Sequence, residues 1–148
     1  MDYTISTDKT KLDIPLIHDF LSNRSYWAKG RSLEEVKTSI DNTICFGLYD
    51  RQGCTIGFTR VLTDGVAFAY LMDVFILEPY RGQGLGQYLL EYVLYHSGIQ
   101  PNMWMLGTAD AHSLYEKFGF QSLESGNRYM TRRETMPPAH FYAEDQRS

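Results

Sequence analysis

Three glycines at alternate positions, Gly82, Gly84 and Gly86, have the spacing in this chain that most directly suggests chemistry. They follow a strand-forming run, residues 69–77, and precede the apolar spacing of an amphipathic helix. Glycine permits a positive φ and a close approach of a ligand to the backbone. The unpaired N–H groups at the start of the following helix, with the positive end of its dipole, favour an anion. The segment therefore predicts a cradle for a phosphate or pyrophosphate.

The glycine segment does not match two common nucleotide-binding motifs. A Walker loop requires a Gly-Lys-[Ser/Thr] sequence, which does not follow here. A dinucleotide-binding fingerprint would need its third glycine at the position of Gln87. That fingerprint also follows the first strand of its fold, whereas two predicted hairpins precede Gly82. A nucleotide-binding oxidoreductase is therefore disfavoured.

Asp73 is a second residue with chemical potential, because it is a carboxylate within an otherwise apolar strand. A buried carboxylate without a partner would cost several kcal/mol. It must therefore meet a partner, as in an ion pair or a strand-end hydrogen bond, or open into a cleft. The residues alone leave these alternatives open.

The histidines and cysteines do not predict a metal site or a covalent intermediate. The 4 histidines show no ligand spacing, so we expect no zinc. A hairpin turn at residues 50–53 would place Cys45 opposite Phe58, about four residues or roughly 13 Å from Cys54. A disulfide needs Cα atoms within about 7 Å. Two free thiols in a reducing cytoplasm are expected, and neither has a base beside it in sequence.

The elements that must position these residues predict a mixed α/β sheet in the order β-α-α-β-β-β-α-β-α-β-β. The predicted helices begin near residues 12, 32, 85 and 110, the second with a capping box of Ser32 and Glu35 and the last capped by Asp110. The predicted strands cover residues 2–6, 44–49, 54–62, 66–77, 103–106, 120–123 and 128–132. Residues 1–136 form one predicted domain, and 137–148 an irregular C-terminal tail.

The net charge and the distribution of apolar residues limit the kinds of partner that the protein is expected to bind. A formal net charge of −4 over 148 residues argues against non-specific nucleic-acid binding, which requires many cationic groups. No apolar stretch reaches the ~18 residues of a membrane-spanning helix, and the N-terminus lacks the basic region of a signal peptide. A cytoplasmic protein without a membrane or nucleic-acid partner is expected.

Two segments resemble signatures of the GCN5-related N-acetyltransferases (GNAT). Residues 81–86, with the pattern Arg-x-x-Gly-x-Gly, resemble the pyrophosphate-binding motif of that family. Residues 73–80 resemble the strand and turn before it, although the family's common Pro-Glu order is reversed here. Residues 110–120 resemble the second signature, a helix ending in Leu-Tyr-x-x-x-Gly-Phe. The likeness covers roughly residues 43–133. It implies an α/β fold with antiparallel N-terminal strands and a parallel β-α-β crossover, in which acetyl-CoA lies in a V opened between the motif strand and the next strand.

The resemblance also implies how acetyl-CoA is held, without a metal. The pantetheine arm pairs like an extra strand with the backbone near Val74 and Ile76. Backbone N–H groups near Val74 and Phe75 would stabilise the oxyanion. The pyrophosphate takes N–H bonds from the glycine loop, here Arg81, Gly82, Gln83, Gly84, Leu85, Gly86 and Gln87.

Tyr115 and Asp73 are the implied catalytic residues. Tyr115 matches the family's tyrosine beside the CoA sulfur, where a phenol near pKa 10 suits a leaving thiolate. Its alternative is a plain core aromatic. Asp73 matches a position that is acidic in many relatives and faces the acceptor, where it either anchors a cationic acceptor or relays its proton through water. Met72 and Tyr70 stand where a second acid and the base of histone-modifying relatives occur, so a peptide-acetylating mechanism built on that base is not expected.

The acceptor pocket is expected beside the loop between the first two helices, which usually walls this site in the fold. Its candidate residues are Tyr26, Trp27, Phe141 and Tyr142, whose rings suit a cation or a ring. The resemblance implies direct acetyl transfer to a primary amine, and a small or polyamine-like amine is favoured over a protein N-terminus. A homodimer is compatible with the fold. The alternative function is a catalytically silent acyl-CoA-binding module of the same fold that acts as a sensor or through a partner.

Overall fold

A computed structural model describes residues 2–124 and 128–133, and their sheet is built from strands in chain order. The described strands are β1 (Thr4–Ser6), β2 (Ile44–Tyr49), β3 (Thr55–Thr63), β4 (Phe68–Ile76) and β5 (Met103–Leu106). Their spatial order is β1-β2-β3-β4-β5. The pairs from β1 to β4 are antiparallel, whereas β4 and β5 are parallel. The predicted mixed sheet, with its antiparallel start and one parallel crossover, is confirmed.

The first two helices begin at residues whose side chains cap them. The described helices are α1 (Ile14–Asp19), α2 (Leu33–Asp41), α3 (Leu85–Glu91) and α4 (His112–Glu116), and α1 and α3 each continue as a π-helical turn. Asp13 caps α1, because its Oδ1 accepts a hydrogen bond from the Leu16 N–H at 3.1 Å. The predicted capping box of α2 is present: the Glu35 N–H donates to Ser32 Oγ, and the Ser32 N–H donates to Glu35 Oε1. None of the described helices is both long and apolar enough to cross a membrane.

Helices cover both faces of the sheet. On one face, Ile17, Phe20 and Val36 from the first two helices pack against Phe58 and Phe75. On the other face, α3 and α4 pack against β2, β3 and β4 through Leu85, Leu89, Leu90, Val93 and Tyr115. Central strands that are buried on both faces need apolar residues on both, which explains the nearly continuous apolar runs of their sequences.

The predicted strands at residues 120–123 and 128–132 are wrong, since the described residues there form no strand. The Phe120 N–H instead donates to the Tyr115 carbonyl at 3.3 Å and closes the end of α4. The Phe120 ring packs edge-on against the Tyr115 ring, with centroids 6.0 Å apart. Its backbone is therefore used by the helix and not by a strand ladder. The domain boundary at residue 136 and the tail at 137–148 lie outside the described residues.

The start of α4 also differs from the prediction. Ala111, and not Asp110, occupies the N-cap position, and no side chain caps the helix. The Ala111 N–H donates to Thr108 Oγ1 at 3.1 Å, so a residue earlier in the loop orients the first turn. Asp110 lies instead on the wall of a cleft described below.

The turn of the β2–β3 hairpin contains one residue more than the sequence predicts, and the strand pairing is shifted accordingly. Asp50 Oδ1 accepts hydrogen bonds from the Gln52 and Cys54 N–H groups, so Cys54 belongs to the turn. Tyr49 then pairs with Thr55 after an irregularity, and Cys45 lies opposite Arg60 and not opposite Phe58. Cys45 is buried, Cys54 is exposed and both are free, which confirms the two unbridged thiols.

The Tyr49 hydroxyl is buried without a hydrogen-bond partner among the described residues. Its ring lies over Gly47, where an added Cβ would overlap it. Burial raises the pKa of Tyr49 to about 12. Because a buried hydroxyl without a partner carries a desolvation cost, we expect Tyr49→Phe to raise the free energy of unfolding by about 1 kcal/mol in urea denaturation. Gly47→Ala is the companion variant and should lower it. A loss of stability in Tyr49→Phe would show that the hydroxyl has a partner.

Candidate active site

A cleft opens where strands β4 and β5 separate. The two strands pair over four positions, and the last pair is Leu71 with Leu106. Strand β4 continues to Ile76, so its edge toward β5 is unpaired from Met72 onward within the described chain. An unpaired strand edge offers backbone donors and acceptors to an extended ligand. The predicted V-shaped opening is therefore present.

A bulge in β4 accompanies this separation. Phe58 pairs with Phe75 and Arg60 pairs with Met72, so Thr59 of β3 faces two residues of β4. One of these is Asp73, which has a φ of 55°. Thr59 Oγ1 donates to the Met72 carbonyl at 2.9 Å and holds the bulge. Such a bulge bends the strand and redirects its side chains, here toward the cleft.

The glycine loop presents unpaired backbone donors. Among the described residues, none of the six N–H groups from 82 to 87 donates a hydrogen bond to another residue. Gly84 is the N-cap of α3 and has a φ of 78°, a conformation that a residue with a Cβ adopts only under strain. These free donors are compatible with the predicted cradle, since backbone N–H groups suit an anionic group.

The side chain of Arg81 contacts residues that precede the glycine loop. Its Nε donates to the Ile76 carbonyl at 2.8 Å, and its Nη2 lies 3.6 Å from Glu78 Oε1. The loop is also tied to the N-terminal edge of the sheet, since the Tyr3 hydroxyl donates to Gln83 Oε1 at 3.1 Å. The Arg81 backbone N–H also donates to the Glu78 carbonyl at 3.2 Å. Arg81 therefore fixes the turn with both its side chain and its backbone.

Beside the separated strands lies a cleft of about 470 Å³. Its walls come from the loop after α1, from β3 and β4, and from the segment between β5 and α4. The residues that line it are Tyr26, Trp27, Arg31, Arg60, Tyr70, Leu71, Met72, Asp73, Val74, Leu106, Gly107, Thr108, Ala109, Asp110, Ala111, Tyr115 and Arg133. The cleft thus brings together Tyr115, Asp73, Tyr26, Trp27 and Val74, all of which the sequence selected. Phe141 and Tyr142 lie outside the described residues.

Tyr115 is buried in α4, and its residue is 8% exposed. Burial, with smaller contributions from Tyr26 and Asp110, raises the pKa of Tyr115 to about 12. Its hydroxyl donates to no described residue, yet it is not fully buried. Since Tyr115 lines the cleft, the hydroxyl is accessible from there. At neutral pH it is a protonated donor facing the space between β4 and β5.

The Asp73 carboxylate is occupied by three donors. Arg60 Nε and Arg31 Nη1 both donate to Oδ2, at 2.6 and 2.8 Å. Trp27 Nε1 donates to Oδ1 at 2.8 Å. The side chain is only 2% exposed. Of the alternatives that the sequence left open, the ion pair is present, and Asp73 also lines the cleft, with one acceptor position on Oδ1 not used by a described residue.

The aromatic loop closes over the cleft from one side. The Tyr26 hydroxyl accepts a hydrogen bond from the Ala109 N–H at 2.9 Å and so joins this loop to the segment before α4. Trp27 packs edge-on against Tyr26, with ring centroids 5.1 Å apart. Both residues are partly exposed and line the cleft, and their role as an acceptor wall stays a prediction.

Two arginines that line the site were not predicted from the sequence. Arg60 lies within the apolar strand β3, and its residue is 9% exposed. The signal that selected Asp73, a charge inside an apolar strand, was equally available for Arg60. Arg31 lies in a loop before Ser32, where an arginine is ordinarily a solvated charge, so nothing in the sequence marked it.

The comparisons with known proteins agree with this geometry. Residues 41–122 match the family model described as "Acetyltransferase (GNAT) domain", which is more than half of the chain. The chain belongs to the GNAT family. Members of this family use acetyl-CoA as the cosubstrate and act on amine acceptors.

Individual GNAT relatives support the assignment. A solved Xanthomonas campestris pv. campestris structure, described as a "putative acetyltransferase belonging to the gnat family", is 39% identical, with a TM-score of 0.84, over 89% of this chain and 93% of that one. A Staphylococcus aureus structure described as a "Probable Acetyltransferase" is 25% identical, with a TM-score of 0.68, over 89% and 99%. The Gibberella zeae protein "Putative acetyltransferase FG08082" is 32% identical over 108 residues. That match spans 61% of this chain and 61% of the relative's length.

Proposed function

We propose that this GNAT protein is an N-acetyltransferase that moves the acetyl group of acetyl-CoA directly to a primary amine of a small molecule. The observation that carries the proposal is the order of three features: Tyr115 lines the cleft, the unpaired β4 edge borders it, and the glycine loop with its six unpaired N–H groups follows β4 in the chain. A linear ligand with an acyl group at one end and phosphates at the other fits that arrangement.

The described residues fit acetyl-CoA at two points. The N–H groups of residues 82–87 suit its pyrophosphate, because they are donors already fixed by the loop. The β4 backbone near Val74 and Ile76 suits the amide groups of its pantetheine arm. Bound acetyl-CoA supplies an activated thioester, whose carbonyl is attacked by the amine.

The residues around the reacting carbon have separate tasks. Backbone N–H groups near Val74 and Phe75, beside the bulge, would stabilise the oxyanion. Tyr115 would donate its hydroxyl hydrogen to the leaving thiolate, and it stays protonated at neutral pH because its pKa is raised to about 12. Two arginines and Trp27 hold the charged form of the Asp73 carboxylate, so accepting a proton would weaken these three bonds. We therefore assign to Asp73 the positioning of those side chains, and the proton of the amine leaves through water.

Thiol release from acetyl-CoA over a panel of small amines, polyamines, aminoglycosides and N-terminal peptides tests the proposal. Turnover with small amines supports it. Tight acetyl-CoA binding by calorimetry without turnover on any amine would favour the silent acyl-CoA-binding module. Absence of acetyl-CoA binding would contradict both.

The glycine loop gives a prediction with a matched control. Gly84 and Gly65 have φ values of 78° and 82°, and an added Cβ at either meets no atom within 4 Å. Changing each to Ala should therefore cost a similar conformational strain, about 1 kcal/mol. Only Gly84→Ala places a methyl group at the proposed pyrophosphate site, and we expect its acetyl-CoA Kd to rise by about ten-fold, or 1.4 kcal/mol.

Calorimetric titration of acetyl-CoA into both variants measures this difference, and urea unfolding measures the shared strain. Equal Kd values in Gly84→Ala, Gly65→Ala and the unchanged protein would place the pyrophosphate elsewhere.

A further inference from the structure

We propose that the acceptor amine carries an anionic group, a carboxylate or a phosphate, and that Arg60 and Arg31 bind this group in the cleft. The proposal rests on the proposed acetyl transfer and names the substrate class of the same site. It replaces the expectation of a polyamine-like acceptor, which treated Asp73 as the dominant charge.

The charge of the cleft is opposite to that of the whole chain. The residues that line it include three arginines, Arg31, Arg60 and Arg133, against two aspartates, Asp73 and Asp110. The chain as a whole has a formal net charge of −4. Asp110 is exposed, whereas Asp73 is already paired with two of the arginines. A local excess of positive charge in a low-dielectric cleft attracts an anion and repels a second cation.

Arg60 has donors that no described residue uses. Its side chain is 10% exposed, and its Nε donates to Asp73 Oδ2. Its two terminal nitrogens donate to no described residue, and neither is fully buried. They therefore open into the cleft that Arg60 lines. A largely buried guanidinium with free terminal N–H groups has the fork geometry that binds a carboxylate or phosphate through two hydrogen bonds.

Arg31 and Arg60 both bind the same carboxylate oxygen, Asp73 Oδ2. Both guanidinium groups contact Asp73 Oδ2, so one negative charge is shared between two cations. Arg31 is 23% exposed and uses Nη1 for this contact. An anionic group between the two arginines would balance the remaining charge, whereas a polyamine would add to it.

The remaining walls fit one molecule with an anion and an amine at different points. Tyr26 and Trp27 offer partly exposed rings to the carbon skeleton. Tyr115 marks the place of transfer in the same cleft, whose volume of about 470 Å³ suits a small molecule. The arginines would thus select and orient the acceptor, and the aromatic rings would hold its apolar part.

Matched pairs of acceptors test the proposal. Each pair contains the same primary amine: a γ-amino carboxylate against its carboxamide, and an amino alcohol phosphate ester against the free amino alcohol. We measure kcat/KM by thiol release, and Kd by calorimetry with CoA present. The anionic member of at least one pair should be favoured by about ten-fold or more, as expected for hydrogen bonds to a charged group. The two pairs distinguish a carboxylate from a phosphate.

The variant Arg31→Gln should reduce that advantage several-fold and leave the acetyl-CoA Kd unchanged. Arg31 is the better site for substitution because Arg60 is more deeply buried. The control is Arg51→Gln, which removes an arginine from an exposed ion pair with Asp2 and should keep the full preference.

Equal binding and turnover of the members of both pairs overturns the proposal, as does a preference that Arg31→Gln leaves intact. If acetyl-CoA binds and neutral or cationic amines are acetylated best, the acetyl transfer stands and the anionic acceptor fails. If acetyl-CoA does not bind, the proposed function fails. Preferential binding of the anionic amines would then still support the arginine site, and equal binding would overturn it.

Discussion

Replacing Asp73 by Asn should lower the free energy of unfolding by about 3–5 kcal/mol, because it leaves Arg60 buried without its counterion. The two groups meet at 2.6 Å, with side chains 10% and 2% exposed. Backbone strain should contribute little to the loss, since Asn tolerates the positive φ of this position. Urea denaturation followed by far-UV circular dichroism measures the change.

A control and a double variant separate burial from charge. Asp2→Asn breaks an exposed pair with Arg51 and should cost less than about 1 kcal/mol. Combining Asp73→Asn with Arg60→Met removes both buried charges and should recover part of the lost stability. An Asp73→Asn protein with unchanged stability and abolished turnover would instead identify Asp73 as the catalytic base.

Replacing Tyr115 by Phe should reduce kcat by about ten-fold or more, because the leaving thiolate loses its proposed donor. The ring contacts with Phe120 remain, and the hydroxyl bonds to no described residue. We therefore expect the free energy of unfolding and the acetyl-CoA Kd to change little. Thiol-release kinetics with calorimetry on the same preparations provide the measurement.

Tyr49→Phe is the matched control for Tyr115→Phe. Burial raises the pKa of both tyrosines to about 12, but Tyr49 is not among the residues that line the cleft. The control should keep full activity. Since Tyr115 acts in its protonated form, its contribution should persist from neutral pH to about pH 11 and decline as the pH rises through 12. A hydroxyl-dependent loss near pH 8, or equal kcat in the two variants, would contradict the assigned role.

Local signals in the sequence predicted much of the scaffold. The Ser32–Glu35 capping box and the β2–β3–β4 meander follow from side chains within a few residues of one another. The glycine loop follows from local sequence too, because glycine permits the positive φ values that Gly82 and Gly84 adopt. The placement of Tyr115 at the cleft was reached through a family resemblance, since spacing alone equally fits a core aromatic.

Long-range pairing explains what the sequence did not reveal. Asp73 and Arg60 lie on neighbouring strands, and a bulge decides that their side chains meet. Arg31 joins them from a loop 42 residues away in sequence, a contact that no periodicity encodes. The apolar residues after Gly119 carried a strand-like pattern, yet the Phe120 N–H is used by the end of α4. Alternation of side chains does not specify which backbone partner a segment finds.

The chain order of the strands has a consequence for how the molecule is assembled. Strands β3 and β4 each pair with the preceding strand across a short connection, so their contacts close small loops at low entropic cost. Strand β5 reaches β4 only after the chain has passed through α3, and α4 follows later. Parallel pairing over such a separation is the slower kind of step. During synthesis from the N-terminus, most of the sheet can therefore form before the cleft exists, and the site is completed only when the last described helix brings Tyr115 into place.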